Sequence, residues 1–124
     1  MNMDQLPPSQ EQTDELLARV AEQMAQQTFD PTDRPTLENL VESLGDTRGM
    51  TRLRVAETLG SIGRPATPAL LKALIGHANP VVRRAAAKTI TLIADPVAIP
   101  DLIHAIINDE DTRPRHREGP LHPK

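Results

Sequence analysis

The sequence predicts an all-α solenoid of short paired helices, and three observations carry that prediction. First, residues 56–63 and 87–94 follow one pattern thirty-one positions apart, and on the same offset Arg52 matches Arg83. Second, three segments share a motif of two apolar pairs a helical turn apart: Leu40-Val41 with Leu44, Leu70-Leu71 with Leu74-Ile75, and Leu102-Ile103 with Ile106-Ile107. Third, Phe29 is the only aromatic among 124 residues, so the core must be built from Leu, Ile, Val and Ala, which suits closely packed helices. A period of about thirty residues with two helices per unit marks an array whose members bury their apolar faces against their neighbours.

Residues 1–10 hold two adjacent prolines and little that packs, so a disordered lead is expected. Residues 11–35 form an N-terminal capping helix and a connector. Ser9 and Gln12 have capping-box spacing and Thr13 is a second candidate cap. Leu16, Leu17, Val20, Ala21 and Met24 then make a narrow apolar stripe. Residues 29–35, with two prolines and two aspartates, read as the connector.

Unit one covers 36–64, with helices predicted over 36–44 and 50–62 and Gly45 and Gly49 bracketing the turn. Gly63 sits where a left-handed C-terminal residue is wanted, and Pro65 blocks continuation. Unit two covers 65–95, with helices over 67–76 and 80–94. Asn79-Pro80 supplies an N-cap and a first-position proline, and Val82, Ala86, Thr89, Ile90 and Ile93 share one face.

Unit three, 96–111, is expected to stop after its first helix, because residues 112–124 are an irregular, basic, proline-bearing tail. The apolar edge of Leu102, Ile103, Ile106 and Ile107 then lacks its cover. It is expected to serve self-association or partner docking.

Composition excludes several functions. Without cysteine there is no disulfide, no thiolate metal site and no covalent thioether to a chromophore. His116 and His122 in the tail lack a scaffold for a metal, so none is expected. No apolar run approaches a membrane span and no signal peptide is visible, so a cytoplasmic protein is expected. The net charge of −3 is uneven: −6 over residues 1–33, +4 over 34–95, −4 over 96–111 and +3 over 112–124. The basic middle can attract an acidic protein or a carboxylate ligand, whereas the net negative charge and the single aromatic argue against nucleic acid.

The run Pro-Ala-Leu-Leu-Lys-Ala-Leu at 68–74, a turn, and Val-Val-Arg-Arg-Ala-Ala-Ala-Lys-Thr-Ile-Thr-Leu-Ile-Ala-Asp at 81–95 resemble a HEAT-like repeat. More narrowly, residues 33–111 resemble the repeats of cyanobacterial phycobilisome proteins, the phycobilin lyases of the E/F type and the phycobilisome-degradation proteins of the non-bleaching B type. That resemblance implies a binding module in phycobilisome turnover or bilin handling. Its partner would be a phycobiliprotein, or a bilin such as phycocyanobilin held non-covalently. A lyase or lyase subunit and a generic protein scaffold are the alternatives.

The second helices would present the binding face. Arg54 and Arg84 are its leading candidates for carboxylates, joined by Arg52 and Arg83. For Arg52 and Arg83 the competing role is a tie between successive turns through a carboxylate. His77 and His104 read as exposed histidines, each a candidate proton donor set against an idle surface residue.

Overall fold

The computed structural model describes residues 8–108, and among them every regular element is helical. Six α-helices follow in order: α1 (Gln10–Ala25), α2 (Arg34–Glu42), α3 (Gly49–Ile62), α4 (Thr67–Gly76), α5 (Pro80–Ile93) and α6 (Ile99–Asn108). Short 3-10 turns, Ser43–Gly45, Arg64–Ala66 and Pro96–Ala98, extend α2 and lead into α4 and α6. The expected lead falls mostly outside the described residues. The expected tail, and the end of unit three at 109–111, fall wholly outside them.

The helices form two layers. First helices α2, α4 and α6 stack side by side, second helices α3 and α5 stack beneath them, and α1 closes the array against α2 and α3. The core is the aliphatic one required by a single aromatic. Leu40, Leu44, Leu59, Leu70, Leu74, Val20, Val55 and Val82 are fully buried, with Ala66, Ala86 and Ala98 where backbones approach.

Local chemistry fixes most boundaries. The Ser9 hydroxyl accepts from the Gln12 amide at 3.1 Å, and the Ser9 amide donates to Gln12 Oε1 at 2.8 Å, completing the capping box. Thr13 is not a cap. It is buried one turn into α1, where its hydroxyl bonds that of Ser43 across to the first unit at 3.0 Å.

α2 begins at Arg34 rather than at residue 36, because Asp33 caps it through the Thr36 amide and Pro35 fits the first turn. The Asn79 cap works as expected, its Oδ1 accepting from the Val81 amide at 2.9 Å. Asp95 repeats the device, but it opens the 3-10 turn before α6 rather than the helix itself.

Three glycine expectations resolve differently. Gly63 has φ +81° with ψ −143°, on the left-handed side but extended rather than αL, because the chain enters a 3-10 turn at once. At the matching place in unit two, Ala94 is the αL residue, with φ 57° and ψ 42°. Gly49 is the first residue of α3 rather than a loop residue. Gly45 is closely approached: a Cβ there would meet the side-chain atoms Asn79 Nδ2 and Val82 Cγ2, each at 3.1 Å, and these would have to give by a few tenths of an ångström. The turn of unit one therefore presses against the start of α5.

Candidate functional site

The first-to-second-helix turns of units one and two are built the same way. In unit one, Asp46 Oδ1 accepts from the Arg48 amide two residues on at 2.8 Å, and Arg52 Nη1 donates to the Asp46 carbonyl at 2.7 Å. In unit two, His77 Nδ1 accepts from the Asn79 amide at 3.0 Å, and Arg83 Nη1 donates to the carbonyls of His77 at 2.6 Å and Ala78 at 3.2 Å. Arg52 and Arg83 thus each tie their turn through backbone carbonyls. Both are half-buried.

The proton of His77 is assigned by these partners. Nδ1 accepts, so Nε2 carries the hydrogen and donates to the Glu42 carboxylate at the end of α2, at 2.9 and 3.1 Å. Expected as an exposed histidine, His77 is in fact 6% exposed. Packing of the turn against the preceding unit buries it, and its ring links two repeats.

Unit one is tied by Arg48, which sequence reasoning passed over. Its guanidinium bridges the carboxylates of Asp14 on α1 and Asp46, each at 3.0 Å through Nη2, and also reaches the Gln10 carbonyl at 3.3 Å. The Arg48 side-chain hydrogen bonds hold the buried Asp46 carboxyl below the ordinary aspartate range and raise the Arg48 pKa in turn. A carboxyl depressed on folding contributes stability that is fully present above its unfolded value, about 3.9, and is lost as pH falls through its folded value. Wild-type protein is therefore expected to lose stability as pH drops below about 4 more steeply than Asp46→Asn, as measured by urea midpoints. Parallel curves for the two proteins would contradict this.

The outer surface of the second-helix layer is read from the register that the two arginine ties establish. On the offset of thirty-one, Leu53 matches Arg84, Glu57 matches Lys88 and Ser61 matches Leu92, and all six are exposed. Arg84, Lys88 and Leu92 follow at intervals of four, along one line of α5. Arg54 is also exposed, but its counterpart is Ala85, so Arg54 and Arg84 are not register mates and stand one step apart around their helices. Lys88, which the sequence reading did not single out, is the residue in line with Arg84. The four-residue spacing within a helix already contains that signal.

An open groove of about 730 Å³ lies between the end of α4, the start of α5 and the length of α6. Ile75, His77, Arg83, Asp101, His104 and Asn108 help to line it, and His104 is exposed as expected. Of the edge on α6, Ile103 and Ile107 are exposed, while Leu102 packs partly on the core. The side chain of Ile106 lies outside the described set. Among the described residues no group of three or more His, Asp or Glu could hold a metal, and no helix is long and apolar enough to cross a membrane.

Paired helices stacked in two layers, with a repeated arginine-tied turn, define a helical-repeat solenoid. The family model for HEAT repeats matches residues 37–118, and the chain belongs to the HEAT-repeat family. The sequence is similar to the bilin biosynthesis protein MpeU of Synechococcus sp. (strain WH8020), with 40% identity over 90 residues. That match covers 73% of this chain and 30% of the relative, so the chain spans under a third of that protein's length. The bilin-related likeness read from residues 33–111 thus has a matching relative. No solved structure matches the chain at a significant level.

Proposed function

We propose that the chain is a HEAT-type binding module for bilins, engaging a linear tetrapyrrole, free or carried by a phycobiliprotein, through the outer surface of α3 and α5. The observation that carries this reading is the 40% identity to a bilin biosynthesis protein, over a stretch long enough to include these helices. The surface has the chemistry that such a ligand needs. Arg84 and Lys88, one turn apart, offer two cations to a pair of propionates, and Arg54 is exposed on the neighbouring helix. Leu53, 48% exposed, and Leu92, 63% exposed, offer apolar contact to the rings. Of the two described histidines His77 is the buried one, and its commitment to Glu42 and Asn79 supports a binding role over chromophore transfer.

The test is to mix the protein with phycocyanobilin and, separately, with phycocyanin. A visible-band shift with the free bilin, or co-migration with the biliprotein, is expected. Arg84→Ala combined with Lys88→Ala should weaken either complex at least tenfold, at roughly 1.5–3 kcal/mol per charged hydrogen bond, with helicity unchanged. Binding that survives the double substitution would place the site elsewhere. Time-dependent chromophore transfer would make the chain an enzyme, and no response in either mixture would leave a protein scaffold.

A further inference from the structure

We infer that the exposed apolar side of α6 is a self-association surface, through which two copies of this chain pair about a two-fold axis. The inference begins with the directions in which a first helix faces. On α2, Thr36 accepts from Arg19 and Ser43 meets Thr13, so that side faces α1. On the other side Glu38 pairs with Lys72 and Glu42 with His77, so that side faces the next unit. Leu37 and Val41 lie beside Glu38 and Glu42 and share this second side.

Repeat equivalence carries the assignment forward. Leu37 corresponds to Thr67 and Ile99, and Val41 to Leu71 and Ile103. Exposure along the first series is 5%, 4% and 50%. Along the second, Val41 is 3% exposed, Leu71 is half-buried and Ile103 is 52% exposed. The same positions are covered wherever a following unit stands and open on α6. Ile99, Ile103 and Ile107, spaced by four, therefore continue an interface already used twice within the chain.

The occupant is argued from charge and shape. Head-to-tail stacking would set this stripe against the outward side of α1. That side presents Glu11, Glu15 and Glu22 together with Ala18, all exposed, and three carboxylates would be desolvated on isoleucine. A two-fold pairing of α6 with its own copy sets isoleucine on isoleucine, closes the contact and leaves the acidic α1 ends in solvent. α6 is ten residues long, about 15 Å, so the interface lies at the small end of specific contacts and the dimer is of micromolar strength.

Sedimentation equilibrium of the full chain, from about 5 to about 500 µM, tests the pairing. The expected result is a mass rising from 13.6 kDa toward twice that value with concentration. Ile103→Glu should hold the protein monomeric with an unchanged helical spectrum, and Ile103→Ser serves in its place if the glutamate variant misfolds. Leu53→Glu, on α3, should dimerise as the wild type does. A monomer throughout the range overturns the inference, as does a dimer that survives Ile103→Glu. If the wild type is monomeric and the α6 amides lose hydrogen-exchange protection once residues 109–124 are removed, the occupant is the chain's own C-terminal segment and the inference again fails.

Discussion

Leu70→Ala is expected to lower unfolding free energy by about 3–4 kcal/mol, the middle of the range for a leucine removed from a packed interior. Leu70 is 0% exposed on α4, the middle first helix, which packs on α2, α5 and α6. Truncating it opens a cavity in the core of the stack. The rigid surroundings can close that cavity only in part, so the transfer and cavity costs add. Against a total of about 5–15 kcal/mol for a domain of this size, the substitution removes a large fraction. With each kcal/mol worth about 4–8 °C, the melting temperature should fall by roughly 12–30 °C. Ile75→Ala on the same helix, at a side chain 67% exposed, should change stability by no more than about 0.5 kcal/mol. Circular dichroism through urea and thermal melts reads both. Equal costs at the two sites would mean that α4 is not the keystone of the stack.

What was legible in the sequence follows from which interactions are periodic. Apolar pairs a turn apart recur because each unit must bury the same face, so the helices at 67–76 and 80–94 could be placed to within a residue from spacing and the Asn79-Pro80 cap. The ties between helices were legible only in part. Arg52 and Arg83 stood out by their offset, but the carbonyls they reach at the turn leave no side-chain signature. His77 could not be read as buried, because its counterpart in unit one is Asp46 and the two share only the ability to accept the amide two residues on. Arg48 occurs once, at the joint between α1 and unit one, so no repeat points to it.

The proposed binding surface shows the same division. Arg54 and Arg84 draw attention as arginines beside arginines, yet an offset of thirty is not an offset of thirty-one, and on a helix that difference is one step around the axis. Lys88, spaced four from Arg84, is the residue that the geometry selects. Charge counted along the chain found the basic segment, and only the register sorts its members by direction.

His77→Ala is expected to cost about 2–3 kcal/mol, a large effect for one polar side chain, because two functions go at once. The Asn79 amide loses its acceptor at the turn, and the Glu42 carboxylate, whose side chain is only 18% exposed, loses the Nε2 hydrogen. Three companions separate these losses. In the double variant Glu42→Ala with His77→Ala, no carboxylate remains to be left short of a donor, so the two substitutions should cost about 1 kcal/mol less together than the sum of each alone. His77→Asn keeps an oxygen that can take the Asn79 amide as Asp46 takes that of Arg48, and should recover about 1 kcal/mol. His77→Asp restores the same acceptor but sets a second carboxylate beside Glu42, so it should be no better than alanine. Urea denaturation of these variants and of Glu42→Ala alone, five in all, measures the set. If alanine and asparagine were equally stable and strictly additive with Glu42→Ala, the ring would be filling space rather than joining unit two to unit one. The arginine-tied turn would then have to hold the repeats together without it.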